Sequence, residues 1–459
     1  MTFNHLDVNV IIAVPDDKYS ARKDLDDEDM SGVLEKCYNV LHGRRSSNTS
    51  ATSIVSTPLT NFTHNTAHPL TKHMRKTTFD VVRNRITKYD HNLYDVIWPS
   101  VKKLPQELSF RMALEQDFPA GVVAPDSCTY RVFQEFIDPI VKDSNCINVS
   151  VELQEHPESL FFADENSSNT SLDLDPACKN ILTSTLDCTR NLNDVEFPKV
   201  LNLGQLEDVE RVLTSVLLSK DIARALYPNV TNDEIIETGS GTYYTMNEVL
   251  EDPSEAKVIL ASNGLLIPLW NITESDRLHG KHWPYGRGVF ISNTGHFAAW
   301  INVLDHLRIV TCTSHQKPGD VGQIYSRVFR VIKTLNEKLS FRTDSRLGYL
   351  SSRPTAVGNT LQFNLKVRFP YLIKEADNLR HLCHVRGLYF HRTTHTDDVV
   401  HIGNQQCMGI TEHQTLEDFA TAVANILQLE KDLAMSNSMH IAAMFVNIFK
   451  RKKASYVDN

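Results

Sequence analysis

The sequence predicts an α+β protein, with a small helical domain preceding a larger α+β domain. Three observations carry this. Residues 71–142 hold short stretches that read as helices. Phe290–Ser292, Phe297–Val303 and Leu307–Thr311 are β-rich and separated by turns. Leu361–Phe369 alternates strictly, with Leu361, Phe363, Leu365, Val367 and Phe369 apolar and Gln362, Asn364, Lys366 and Arg368 polar.

Taken in order, the first 66 residues form an acidic and Ser/Thr-rich extension. It holds an acidic run (Asp24–Asp29) and the polar tract 44–66, which lacks apolar periodicity and is expected to be flexible, with order starting near His68. Residues 67–162 form the helical domain. There Asn92–Ile97 is a short helix and 129–142 a helical stretch interrupted at Pro139. A second acidic run, 163–175, is the linker, residues 176–445 the α+β domain, and 446–459 a basic tail. Within the larger domain, Ile324, Val328, Val331, Ile332, Leu335 and Leu339 fall on one helical face. Thr415 is expected to start a last helix, with Asp418 as its capping-box partner and Leu416, Phe419, Val423, Ile426 and Leu427 buried.

Composition narrows the function classes. The chain has 459 residues, 47 basic and 56 acidic, for a net charge of −9, which argues against a nucleic-acid partner. No stretch approaches the roughly 18 apolar residues of a membrane span, and the N-terminus lacks a basic leader, so a cytoplasmic location is expected. The cysteines are scattered without a CxxC pair and read as reduced thiols. Glycine is scarce, 18 of 459 residues, which disfavours a phosphate cradle built on glycine-rich loops. His381, His384, His391 and His395 with Cys383 match no standard zinc spacing, so no metal site is assigned.

HWPYGRGVFISNTGHFAAWINVLDHLRIV (282–310), GDVGQIYSRV (319–328), RLGYLSSRPTAVGNT (346–360) and MGITEHQTLEDF (408–419) stand in one order. GTYY (241–244), AGVVAPD (120–126) and FIDPIV (136–141) precede them. Together these resemble the ATP:guanidino phosphotransferases, or phosphagen kinases, the family of arginine and creatine kinases. The resemblance covers roughly residues 68–435. It implies a small all-helical N-terminal domain and a larger domain built on an antiparallel sheet flanked by helices. It also implies reversible transfer of the γ-phosphoryl of Mg-ATP to a guanidinium nitrogen, with Mg-ATP or Mg-ADP as cofactor if nucleotide binding is retained.

Such a transfer needs in-line positioning and neutralisation of spreading negative charge, hence clustered arginines, with carboxylates to align and deprotonate the guanidinium. Set against the family's strings, the site is degenerate. Its N-E-E-D-H string reads here as Asn302–His306, placing Leu304 at the guanidinium-facing glutamate. Thr394 stands at the second glutamate, in a shortened loop where Asp397 or Asp398 is a candidate substitute. Arg353 replaces the cysteine; it either repels a cationic substrate or turns outward and leaves the pocket empty. The S-T-R-x-R string falls on Ser184–Cys188 without its arginines, with Arg190 a nearby candidate, and the nucleotide-contacting histidine falls near Gly264.

Arg308, Lys366 and Arg392 remain as candidate nucleotide-binding residues, although Arg308 also reads as a plain ion-pair residue. At about 1.5–3 kcal/mol per charge-assisted hydrogen bond, losing most of the arginines costs on the order of 10³-fold in phosphate binding. The leading expectation is a family member with lost or much reduced transfer, acting as a binding or structural component with a protein partner such as an active relative. An active guanidino kinase with altered substrate preference is the rival, and nucleotide sensing without transfer a third reading.

Overall fold

A computed structural model of the chain describes residues 69–101, 118–159, 172–269, 278–392 and 398–434, together with Gly32, Leu34, Glu35 and Tyr38. The tract 44–66, the linker up to residue 171, Thr394 with its loop and the basic tail 446–459 lie outside the described residues. The chain divides into two compact units. One comprises Met1–Glu152, Pro268–Lys281 and Ser351–Thr355, the other Leu153–Ile267, His282–Leu350 and Ala356–Asn459.

Short helices build the described part of the first unit, among them α1 (Pro69–His73), α2 (Lys76–Val82), α3 (Leu93–Val101), α4 (Thr129–Val132) and α5 (Gln134–Ser144). Phe79 and Val82 of α2 and Phe136, Ile137, Ile140 and Val141 of α5 are buried, the i, i+3, i+4 pattern of a core-facing stripe. Pro139 lies inside α5 and does not interrupt it. The break falls earlier, at Phe133, which caps α4 and precedes α5. Order also begins before His68. Leu34 and Tyr38 are buried, the Tyr38 and Phe79 rings meet at 4.7 Å, and Glu35 accepts from Lys76 Nζ at 2.9 Å. Asp126 anchors the unit's polar core, accepting from Thr87 Oγ1 and meeting His91 Nδ1, each at 2.6 Å. With these partners its carboxyl is held below the usual range despite burial, which alone raises it.

The second unit is an eight-stranded sheet in the order β2-β3-β4-β5-β1-β8-β10-β9. The strands are β1 (Ile181–Arg190), β2 (Gly241–Thr245), β3 (Gly288–Ser292), β4 (Phe297–Val303), β5 (Asp305–Cys312), β8 (Gln362–Arg368), β9 (Leu388–His391) and β10 (Val399–Asn404). All neighbours are antiparallel. A small separate ladder pairs β6 (Thr343–Asp344) with β7 (Gly348–Tyr349).

Between β1 and β2 run α6 (Leu203–Leu217), α7 (Lys220–Leu226) and α8 (Asn232–Thr238). Then α9 (Met246–Leu250) and α10 (Glu255–Ser262) lead to β3, α11 (Val321–Asn336) follows β5, α12 (Ala376–Val385) follows β8, and α13 (Glu412–Ala434) closes the described chain. Helix α6 starts at a full capping box between Asn202 and Gln205 and buries Leu206, Val209, Leu213 and Leu217. Helix α13 begins three residues before Thr415: Thr411 Oγ1 accepts from Gln414 N at 3.3 Å, and Gln414 Oε1 accepts from Thr411 N at 3.0 Å. Thr415 is therefore an interior residue, and its hydroxyl takes a 2.7 Å bond from Asn359 Nδ2.

Period-two alternation decides what each sheet face does. Leu186, Cys188, Leu307, Ile309, Phe363, Leu365 and Ile402 join the apolar core on one face. On the other face the register sets Asp187 opposite Gln362, Thr185 opposite Asn364, and His401 opposite Lys366. Across β1, β8 and β10 an apolar face buried beneath helices thus leaves a polar face on the other side.

Candidate functional site

The polar face crosses β5, β1, β8, β10 and β9. Arg308 sits at its β5 end, where Nε donates to Asp187 Oδ2 at 2.7 Å. The two are diagonal neighbours, since Thr189 pairs with Arg308 and Asp187 with Val310. Their side chains are only 8% and 14% exposed, so the pair is largely shielded from solvent and from salt. The guanidinium that a bound phosphate would need thus already has a carboxylate counter-charge.

Farther along, Lys366 is exposed and makes no hydrogen bond among the described residues. Its neighbour His401 is pushed down to about 4, first by burial and then by His391 and Lys366, so at neutral pH it adds no charge. Arg392 follows β9 and is half-buried. Gly264, with φ +68, lies over the same face, where an added Cβ would be 4.0 Å from Thr185 Cγ2. Trp300 Nε1 donates to Leu265 O at 3.2 Å and fixes this segment to β4.

The residues expected at catalytic positions are placed as follows. Leu304 is the single residue between β4 and β5, where Val303 pairs with Asp305. It is buried and takes φ 70, a left-handed conformation that an ordinary L residue adopts only under constraint. That constraint is visible next door: Asn191 Nδ2 donates to Asp305 Oδ1 at 2.6 Å, and Asn191 Oδ1 accepts from His306 N at 2.8 Å. Buried Leu304 supplies neither a proton acceptor nor a counter-charge. Arg353 belongs to the first unit and is buried, its amide donating to Ser351 Oγ at 3.1 Å. In the same unit Tyr130 Oη donates to Ser351 O at 2.5 Å and Ala124 N to Ser352 O at 2.8 Å, so the segment is tied down on both sides.

Two readings of β1 change. Leu186 and Cys188 face the core, so the outward positions are Thr185 and Asp187, one residue earlier than a match onto Leu186 and Cys188 requires. Burial accordingly raises the Cys188 thiol. Arg190 is no substitute phosphate ligand. It is fully buried on the core side, where Nη1 donates to Thr360 Oγ1 at 2.7 Å, to Thr189 O at 2.8 Å and to Asn359 O at 3.3 Å. Its guanidinium carbon stands 3.6 Å from the Tyr349 ring centroid, the geometry of a structural cation–π pair. The signal for the β1 register was present in the alternation of Thr185, Leu186, Asp187 and Cys188.

Among the described residues no group of three or more His, Cys, Asp or Glu side chains is placed to hold a metal, and no helix is long and apolar enough to cross a membrane.

An antiparallel eight-stranded sheet that is polar on one side across β1, β8 and β10, in a chain that also holds a small helical unit, is the architecture of a guanidino-kinase fold. Comparison with known proteins supports that class at the level of sequence. Residues 64–142 match the N-terminal domain model of the ATP:guanido phosphotransferases and residues 223–433 their C-terminal catalytic domain model, together more than half of the chain. The chain belongs to this family, the phosphagen kinases.

It is 28% identical over 376 residues to an arginine kinase of Limulus polyphemus, covering 80% of this chain and 93% of that one. An arginine kinase of Penaeus monodon is 25% identical over 374 residues, covering 79% and 93%. Among solved structures, the duplicated taurocyamine kinase of Schistosoma mansoni superposes with a TM-score of 0.62 at 20% identity over 81% of this chain. The chain spans about half, 47%, of that duplicated protein. A lombricine kinase gives a TM-score of 0.58 at 19% identity, covering 80% of this chain and 93% of that one, a likeness of fold.

Proposed function

We propose that this phosphagen-kinase family member has lost, or retains only weakly, ATP:guanidino phosphotransfer, and acts in the cytoplasm as a binding or structural component, with an active relative as its candidate protein partner. The observation that carries the reading is the Asp187–Arg308 pair. A nucleoside diphosphate and its magnesium bring several negative phosphate oxygens, and an effective site meets them with clustered, uncommitted cations. On the described polar face, Arg308 is neutralised by Asp187 and His401 is neutral, which leaves Lys366, a point charge without a bidentate fork, and the half-buried Arg392 beyond the far end of β9. These residues fit Mg-ADP poorly, so no transfer step is assigned to them. Leu304 supports the same conclusion from the side of the chemistry, since an alkyl side chain neither accepts the guanidinium proton nor pairs with the cation.

The test is a coupled assay of the purified chain with Mg-ATP over arginine, taurocyamine, lombricine and creatine, run beside calorimetric titration with Mg-ADP. Turnover at the level of the blank, with ADP affinity no better than millimolar, is the expected result. Turnover on any acceptor that vanishes in Arg308→Ala overturns it and establishes the rival reading, an active guanidino kinase.

A further inference from the structure

Beneath the opposite, core-side face of the sheet lies a cavity of about 240 Å³ that the nucleotide reading does not use. It is walled by the end of α7, the β3–β4 turn, the segment after β5 and the first turns of α11. That volume is far above the roughly 10–15 Å³ that a single water needs.

Its principal polar group is Arg327, on the second turn of α11. Nη1 donates to Thr311 Oγ1 at 2.5 Å, Cys312 O at 2.9 Å and His296 O at 3.2 Å, which fixes the guanidinium against the β4–β5 hairpin. Thr311 pairs with Leu186, a core residue, so this arginine lies on the side away from Asp187 and Arg308. Nε and Nη2 make no hydrogen bond among the described residues, and no carboxylate there lies within ion-pair distance. Burial lowers its affinity for its proton, the nearby Arg330 adds to that shift, and Asp320 opposes it from beyond ion-pair distance.

The rest of the lining suits an oxyanion. Ser292, Thr294 and Ser314 bring hydroxyls to the lining and Gln323 a side-chain amide; Ser292 Oγ accepts from Phe297 N at 3.2 Å and lies 3.3 Å from Thr294 Oγ1, and among the described residues no acidic side chain lines the cavity. His296 is held below its ordinary value, first by burial and then by Arg327, so Arg327 is the one charged side chain among the described lining residues. Tyr227 is committed elsewhere, donating to Ser240 O at 2.9 Å and accepting from Asn293 N at 2.8 Å. Leu226 and Phe297 form an apolar wall beside these donors. A fixed guanidinium fork with several neutral donors matches a tetrahedral oxyanion, and the apolar wall accommodates a short carbon skeleton attached to it.

We propose that this cavity binds a phosphate group, carried by inorganic phosphate or by a small phosphate monoester, with Arg327 as its principal ligand. The site is distinct from the polar face and holds whether or not the chain transfers phosphate.

Calorimetric titration of the full chain with inorganic phosphate and, separately, with glycerol 3-phosphate tests this. Saturable binding of at least one probe is expected, with tighter binding of the ester marking the monoester as the occupant and equal binding marking the bare anion. Arg327→Gln abolishes binding. Because that change also loosens the hairpin, Gln323→Glu, at an exposed position on the cavity wall, is the second variant; one added like charge is expected to weaken binding on the order of tenfold. Lys366→Gln, on the other face, leaves binding unchanged. The proposal is overturned by no heat with either probe up to roughly 10 mM, by affinity unaltered in Gln323→Glu, or by binding that Lys366→Gln removes.

Discussion

Replacing Asp187 by asparagine is the sharpest perturbation of the polar face. The change keeps the shape and an oxygen that accepts from Arg308 Nε, now at 2.7 Å, but deletes the charge. A phosphate held by Arg308 lies about 6 Å from the Asp187 carboxylate, and at an effective dielectric near 20 each unit of phosphate charge is then repelled by about 2.8 kcal/mol. Screening is modest because the Arg308 and Asp187 side chains are 8% and 14% exposed. Allowing for relaxation, about 2 kcal/mol remains, or roughly a thirtyfold gain in Mg-ADP affinity in Asp187→Asn.

The same change weakens a shielded charge pair and costs about 1–3 kcal/mol of stability. The assay is therefore paired: Mg-ADP titration for affinity, and denaturant unfolding to show that the pair has gone. A variant that is destabilised as expected, yet binds Mg-ADP within threefold of the parent, refutes the claim that Asp187 blocks this face.

Three further outcomes follow from the same geometry. His306 and His401 are held down to about 3 and about 4 by burial, so the unfolded chain binds more protons than the folded one from pH 6.5 down to those values. Stability therefore falls with acidification through that window by about 1.4 kcal/mol per pH unit for each histidine; denaturant melts at pH 7, 6 and 5 check it, with a shallower slope in His401→Gln. Arg190→Met strips the donor from Thr189 O, Asn359 O and Thr360 Oγ1 and is expected to lower stability by about 2–4 kcal/mol. Mg-ADP affinity, measured alongside, stays within threefold, whereas a phosphate ligand would show the reverse. Thr185→Arg with Asp187→Arg is expected to raise Mg-ADP affinity at least a hundredfold, by more than about 2.7 kcal/mol, and still give no transfer to arginine in the coupled assay; transfer without a change at Leu304 would show that the missing carboxylate is dispensable.

The fold was legible where burial is one-sided. Leu361–Phe369 alternates because its apolar side faces the core and its polar side faces away, and the structure places β8 within those bounds. The apolar stripe beginning at Ile324 became α11, which buries Val328, Val331, Ile332 and Leu335. Strand β1 was harder, because Thr183, Ser184 and Thr185 are all small and polar although Ser184 is buried and its neighbours are not. There composition does not mark the faces, and a match of strings slips by one residue. The start of α13 was misplaced for a related reason: Thr415 has the chemistry of a cap, but the bond it receives from Asn359 comes from a distant loop. Leu34 and Tyr38 were missed although Val33, Leu34, Cys37, Tyr38 and Leu41 fall at helical spacing, because this short apolar stripe lies between an acidic run and a long polar tract that dominate the composition.

What distinguishes the two sheet faces is how strongly the fold selects their residues. Exchanging Leu186 or Cys188 for an arginine would bury an unpaired cation in the apolar core, at a cost of several kcal/mol. Exchanging Thr185 or Asp187, at outward positions, changes little that the core depends on. The polar face is therefore where a phosphagen-kinase chain can lose its phosphate site without losing its architecture. On the proposed reading Asp187 goes further than loss: a neutral residue would leave Arg308 available, whereas the carboxylate pairs with it. The left-handed backbone at Leu304 points the same way. Asn191 bonds both Asp305 and His306 beside a leucine held at positive φ, so on the proposed reading the turn's geometry has outlasted the side-chain chemistry at its tip.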